Sequence, residues 1–128
     1  MNSKGVTVRP SDYPVKETID RLQSFLQQNG VTIYARIDQQ AEVQKSGKEL
    51  RPLEYLLFGN PKAGGPIMIE NPLAALDLPL KVIAWQDDLG KTWIAYNDAS
   101  YVRDRFSLSP GISNPLDLDP MILKVMKP

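Results

Sequence analysis

The chain has 128 residues, of which 42% are hydrophobic and 23% are charged. This length and composition are typical of a single globular domain whose hydrophobic core is large enough to be stable without covalent cross-links. Fifteen basic residues balance fifteen acidic residues, so the basic surface of a typical nucleic-acid-binding protein is missing. The sequence contains no cysteine and no histidine, which excludes disulfides, thiolate catalysis and the commonest general base and transition-metal ligand.

The apolar segments and the N-terminus bear on where the protein resides. The longest apolar segments are far shorter than a membrane span, and residues 1–10 contain no apolar signal core. Together with the absence of cysteine, these features predict a cytoplasmic protein with neither a membrane partner nor a nucleic-acid partner.

The first part of the chain predicts a strand, a helix and a second strand. Residues 6–8 open a short strand that Pro10 ends. Apolar side chains then recur at helical spacing as far as Asn29-Gly30, where the glycine favours a helix end. From Val31 to Asp38 apolar and polar residues alternate, as in a strand with one apolar face.

The middle of the chain predicts two helices around a buried strand. Polar helix formers at 39–46 indicate a short exposed helix, and the near-continuous apolar run at 53–58 is typical of a central strand. Residues 60–66 predict a loop that leads into a helix over 67–78, with an interruption near Asn71-Pro72.

The last part of the chain predicts a hairpin followed by helices. Strands at 80–86 and 91–97 are joined by a tight turn, and a helix follows over 98–106. A further short helix begins near Asp119-Pro120.

The order of these elements predicts an α+β fold in two layers, with about five strands in a mixed or antiparallel sheet and helices packed mainly on one face. Residues 1–106 are predicted to form this single domain. Residues 107–128, which contain four prolines, are predicted to form a C-terminal arm over its surface.

The number of helices limits how much of this sheet can be covered. The strands at 53–58 and 80–86 are apolar on both sides, yet only three substantial helices are available as cover. We expect these helices to lie on one side of the sheet. The other face would then keep Tyr34, one of Trp85 or Trp93, and aliphatic neighbours, and such apolar surface is normally buried against a partner. We therefore predict a two-fold homodimer, because one patch then serves both subunits. The alternative is a monomer in which the helices or the arm cover both faces.

Five segments, in this order along the chain, resemble the domain of unknown function 302 family. They are ARID at 35–38, LRP at 50–52, FGNPKAGGP at 58–66, LDLPLKVIAW at 76–85 and TWIAYNDASY at 92–101. The resemblance covers residues 5–106 and implies a small bacterial or archaeal α+β domain that forms homodimers, with no assigned reaction. Family members carry a histidine directly after the Ile-Asp pair, where this chain has Gln39, so a site built on that histidine does not transfer.

The segment 60–66 is the best candidate for a ligand site. It follows a buried strand and precedes a helix, so the backbone N–H groups of Gly64 and Gly65 can face an anion, with Asn60 alongside and Lys62 adding a positive charge. It matches neither a Walker A loop nor a dinucleotide-binding fingerprint. The alternative is a tight connection without a ligand.

Arg36 and Asp38 form the second candidate group. They lie two residues apart on one strand face, where they could line a polar pocket. The alternative is a structural role, in which the two residues pair with each other or with Glu54.

Composition and spacing together favour a non-catalytic homodimeric domain that binds a small anionic ligand at 60–66, without metal or cofactor. A Ser-His-Asp triad is excluded because histidine is absent. One alternative is a hydrolase or lyase-like enzyme whose carboxylates meet at the subunit boundary, although the acidic residues are spread over separate elements. The other alternative is a purely structural interaction module.

Overall fold

The structure, a computed structural model, describes residues 3–127, so that residues 1, 2 and 128 of the predicted domain and arm lie outside the described residues. The five strands are β1 Val6–Ser11, β2 Thr32–Asp38, β3 Leu53–Gly59, β4 Leu80–Gln86 and β5 Thr92–Asn97. The helices are α1 Val15–Gln28, α2 Gln39–Lys45, α3 Pro61–Glu70, α4 Ala99–Arg105 and α5 Asp119–Val125. Two short 3-10 helices lie at Pro72–Leu76 and Asn114–Leu116.

The strands form one sheet in the order β1-β5-β4-β3-β2, and all four neighbouring pairs are antiparallel. The predicted α+β fold is therefore confirmed, and of the two sheet types considered the antiparallel one is found. β1 and β2 are the edge strands, so the chain starts at one edge of the sheet and crosses to the other through α1.

The main hydrophobic core lies between α1 and one face of the sheet. Ile19 and Leu22 of α1 are fully buried, and they pack with Leu56, Val82 and Ile94 from the three central strands. The apolar stripe of α1 thus faces the side of the sheet that carries the buried residues of β3 and β4, in which buried and half-buried residues alternate along the strand.

The segment after residue 106 shares the interior of the molecule. Leu118 and Ile122 belong to the main core, where α5 packs against α1. Leu108 and Leu116 belong to a second buried cluster, together with Ile67 of α3 and residues of α4. Removing this segment would expose apolar surface of α1 and α3.

The opposite face of the sheet carries a continuous apolar surface, which we call the open face. One row crosses all five strands, and its members in order are Ile37, Tyr55, Ile83, Ala95 and Val8. A second row runs through Leu53, Trp85, Trp93 and Pro10, so both tryptophans lie on this face, where one was predicted. These side chains belong to neither buried cluster of the described residues, and all except Ala95 are half-buried or exposed.

Helix α3 begins at Pro61, six residues earlier than the sequence predicts. The side chain of Asn60 accepts a hydrogen bond from the Lys62 N–H at 3.0 Å, and Pro61 occupies the first helical position, where its missing N–H costs nothing. These two features start the helix although Gly64, Gly65 and Pro66 lie inside it. The predicted loop is thus the first half of a helix.

Candidate functional site

A cavity of about 390 Å³ lies where the C-terminal end of β3 meets α1, α3 and the C-terminal segment. Its walls are almost entirely apolar. The larger side chains that line it are Phe25, Leu26, Val31, Tyr34, Phe58, Ile67, Met68, Leu78, Pro79, Leu80, Leu116, Leu118 and Met121. Cavities of this size and lining are typical of sites for small organic ligands.

The first turn of α3 forms one wall of the cavity through Ala63 and Gly64. The backbone N–H groups of this turn are already bonded: the carbonyl oxygen of Asn60 accepts from the N–H groups of Ala63 and Gly64, each at 2.9 Å. The Lys62 N–H donates to the Asn60 side chain, and Pro61 has no N–H to donate. Helix α3 therefore presents a closed first turn to the cavity rather than free donors.

Tyr34 reaches the cavity because β2 is irregular. The pairing of β2 with β3 shifts between Ile33 and Ala35, which marks a β-bulge at Tyr34. A bulge redirects a side chain and breaks the alternation of faces. Tyr34, predicted from regular alternation to lie on the open face, instead lines the cavity, with 49% of its surface exposed.

The predicted site residues of α3 differ in their relation to the cavity. Asn60 and Gly64 line it. Lys62 is exposed beside it, and Gly65 is half-buried without lining it. A Cβ atom added at Gly64 would meet only the Met68 methyl carbon, at 4.0 Å, whereas one added at Gly65 would meet no atom within 4 Å. The ligand-binding role of these residues stays a prediction.

Arg36 lies on the core-facing side of β2, opposite Leu56, and each of the three guanidinium nitrogens donates a hydrogen bond. Its Nε donates to Glu54 at 2.8 Å, and its Nη1 donates to Asp20 at 2.7 Å and to Gln23 at 3.1 Å. The hydrogen bond from Arg36, followed by that from a neighbouring lysine, lowers the pKa of Asp20. These contacts attach the edge strand β2 to α1.

Asp38 starts helix α2 by accepting the Ala41 N–H at 3.0 Å. Arg36 and Asp38 lie toward the end of β2 that is distant from the cavity, about 7 and 14 Å beyond Tyr34 at 3.4 Å per residue, and neither lines the cavity. The two predicted groups of site residues therefore do not converge. Gln39, at the position where the resemblance implies a histidine in relatives, follows Asp38 and lies at that distant end as well.

A second, polar cleft lies at the other side of the C-terminal segment, around Asp119. Asp119 accepts hydrogen bonds from Arg9, at 2.8 Å, and from the Tyr96 hydroxyl. Burial and the bond to Asp119 raise the pKa of Tyr96 to about 12, while the bonds from Tyr96 and Arg9 lower the pKa of Asp119. Near neutral pH Tyr96 is protonated and Asp119 is ionised, and the two shifts widen the pH range over which their hydrogen bond ties α5 to the sheet. Within residues 3–127, no three acidic side chains are arranged to hold a metal ion.

Sequence reasoning did not find most of the cavity wall. From the sequence, Phe25 is one of the apolar side chains that recur at helical spacing before Asn29, and Leu116 and Met121 lie within the predicted arm, 107–128. The available signal was the concentration of apolar residues in the C-terminal segment, which is more than a surface arm needs. Which of them would meet α3 depends on the path of the chain, and residue spacing does not reveal that path.

The molecule is thus a two-layer α+β domain with an apolar cavity at the end of its sheet, of a size that accepts a small ligand. The chain belongs to the family described as domain of unknown function DUF302, whose model matches residues 7–125. The predicted family is confirmed, and the match includes most of the C-terminal segment.

A solved structure supports the fold. The chain superimposes on an uncharacterized conserved protein DUF302 from Bacillus stearothermophilus with a TM-score of 0.79, covering 97% of both chains. Since the two sequences are 21% identical, this likeness concerns the fold alone.

Similar sequences also occur within longer proteins. Over 118 residues the chain is 33% identical to a protein named fluoride-specific ion channel FluC 1 from Brucella suis biovar 1 (strain 1330), covering 92% of this chain and 46% of that protein. A protein named fluoride-specific ion channel FluC 2 from Brucella melitensis biotype 1 is also 33% identical over 118 residues, with 43% of it covered. The chain thus spans less than half the length of these relatives. Within residues 3–127, none of the helices has the length and apolar character needed to cross a bilayer.

Proposed function

We propose that this chain is a non-catalytic, small-molecule-binding domain whose ligand site is the cavity between α3, α1 and the C-terminal segment. The observation that carries the proposal is the combination of the cavity's volume, about 390 Å³, with an apolar wall. Tyr34 is the sole titratable side chain among the described residues that line it, which favours binding over proton transfer.

Two neighbouring glycines of α3 provide a direct test of this site. A leucine at Gly64 would fill part of the cavity, whereas a leucine at Gly65 would not line it, and both changes improve helix propensity. Ligand-observed NMR with a fragment set containing charged and uncharged members should show binding to the wild type and to Gly65→Leu but not to Gly64→Leu. Binding that is equal in all three proteins would contradict the site, and an absence of binding to the wild type would contradict the function.

The anionic ligand predicted from the sequence would have to use Lys62, because the N–H groups of the first turn are bonded within the helix. Lys62 is exposed next to the cavity and could contact a negatively charged group at its rim. A Lys62→Ala variant should then lose affinity for anionic fragments and keep its affinity for neutral ones. Unchanged affinity for every anionic fragment would remove Lys62 from the site.

We propose that the domain acts as a homodimer in which two open faces pack together. Five strands of six or seven residues give a face of roughly 24 by 22 Å, or roughly 500 Å². Two such faces would bury roughly 1,000 Å² together, which is about the minimum for a biological interface and is typical of the weaker ones. None of the residues in the two rows described above is charged, and Lys81, which lies on the same face opposite Leu57, would have to keep its ammonium group at the rim of the contact.

Sedimentation velocity tests this assembly. Ile83 lies at the centre of the open face, so Ile83→Glu should place a charge in the contact and produce a monomer at micromolar concentration. Leu89, in the β4–β5 turn, is 93% exposed, and Leu89→Glu is the matched control that should stay dimeric. A wild-type monomer under these conditions would contradict the homodimer.

A second candidate function comes from the longer relatives. Proteins named fluoride-specific ion channels contain a region similar to this chain, and the described residues hold no membrane-crossing helix. We propose that the matched region serves such a channel as an accessory domain, with conduction confined to the remainder. Fluoride efflux from liposomes containing the Brucella suis protein, with and without its matched region, tests this role. Equal efflux and equal fluoride dependence would contradict it.

A further inference from the structure

The chemistry of the cavity wall restricts the ligand that the proposed site can take. Among the described residues that line the cavity, none carries a charge, and the polar side chains are those of Asn29, Tyr34 and Asn60. Asn29 donates through its side-chain amide to the Phe25 carbonyl at 2.8 Å, and Asn60 accepts from the Lys62 N–H. The polar groups left to meet a ligand are the Tyr34 hydroxyl, the Asn29 Oδ1 and the Asn60 Nδ2, and all three are uncharged.

A charged ligand would gain little from such a wall. Transfer of an ion from water into apolar surroundings is strongly unfavourable unless a counter-charge or several hydrogen bonds replace the lost hydration. The N–H groups at 62–64, which could otherwise supply those bonds, are committed to Asn60. The interior of the cavity therefore selects against carboxylates and phosphates.

An apolar group would instead meet a wall that can adapt to it. Met68 and Met121 lie on two different elements of the wall, and methionine side chains adjust to ligands of varied shape. Apolar cavities that are poorly hydrated bind hydrocarbons and aromatic rings in preference to water.

We infer that the ligand of this site is a small uncharged apolar molecule, either a medium-length alkyl chain or a single aromatic ring, with at most a hydroxyl or carbonyl group that faces Tyr34. This inference rests on the proposed function, because it assigns a chemical class to the same cavity. It differs from the anionic ligand that the sequence predicts for residues 60–66.

The pair 1-octanol and octanoate separates these possibilities, because the two molecules share a chain and differ in charge. Isothermal titration at pH 7 should show that the wild type binds octanol at least tenfold more tightly than octanoate. Gly65→Leu should bind octanol as tightly as the wild type does, and Gly64→Leu should bind it at least tenfold more weakly. Circular dichroism and the thermal transition of each variant establish that it is folded.

The outcomes distinguish the inference from the proposed function. If octanoate binds as tightly as octanol and Gly64→Leu abolishes both, the cavity is a ligand site but the neutral class is wrong. A second outcome is that the wild type binds neither octanol nor octanoate but binds other anionic fragments, and that Lys62→Ala loses this binding. The inference is then overturned, and a site for anions at the rim of the cavity remains. If no probe of either kind binds, the inference and the proposed function are both overturned.

Discussion

Replacing Ile122 by alanine should destabilise the protein strongly, although Ile122 lies only six residues from the end of the chain. Its side chain is 0% exposed and packs in the main core, where α5 meets α1. Removing a fully buried isoleucine side chain in this way costs about 2–5 kcal/mol, from the lost burial and from the space left behind. Since the side chain is fully enclosed, we expect about 3–4 kcal/mol. The adjacent Leu123 is 51% exposed, so Leu123→Ala should cost less than about 1 kcal/mol.

Urea unfolding at one fixed protein concentration measures the difference in stability between the two variants. The transition is monitored by both tryptophan fluorescence and far-ultraviolet circular dichroism. With a slope of about 2 kcal/mol per molar urea, Ile122→Ala should lower the midpoint by about 1.5–2 M. Leu123→Ala should lower it by less than about 0.5 M. If the two variants unfold at the same midpoint with equal slopes, α5 is a peripheral flap, and the wall that the C-terminal segment gives the cavity is not part of the folded core.

Three further predictions concern polar contacts. The pKa of Tyr96 is raised from 10.0 to about 12 in the folded protein, so its contribution to stability is present below pH 10 and is lost between pH 10 and pH 12. Tyr96→Phe should remove this alkaline loss in pH-dependent urea unfolding, and an unchanged profile would contradict the assignment. Asn60→Ala removes the N-terminal cap of α3 and should lower the free energy of unfolding by about 1 kcal/mol, as measured by thermal unfolding. An unchanged transition temperature would mean that the cap is dispensable. Arg36→Met leaves the buried Glu54 without its partner and should lower the free energy of unfolding in urea by about 2–3 kcal/mol. A second change, Glu54→Leu, should restore much of this loss. If the losses of the two single variants instead add up in the double variant, the pairing is contradicted.

Much of the fold could be predicted because strong local patterns agree with the tertiary structure. The apolar stripe of α1 and the hairpin formed by β4 and β5 each show a single periodicity, and the structure has both elements close to the predicted bounds. For helix α3 the sequence predicts too late a start, because Gly64, Gly65 and Pro66 lower helix propensity. The cap from Asn60, together with Pro61 at the first position, outweighs that local preference.

The candidate site could be predicted only in part. Asn60 and Gly64 do line the cavity, but the rest of its wall comes from elements far apart in the chain, such as Phe25 and Met121. Tyr34 joins them through a bulge, which shifts the side chain from the face that regular alternation predicts. Contacts of this kind arise from packing between elements, and the spacing of residues along one element does not encode them.

The central claim is that the cavity beside α3 is a ligand site, and a two-dimensional NMR titration of the wild-type protein with 1-octanol tests it most directly. Amide resonances from residues 58–68 and 115–121, which contribute the cavity wall, should shift in a saturable way. The resonances of Trp85 and Trp93 on the open face should stay in place. Shifts confined to the open face, or no saturable shift at all, would contradict the claim.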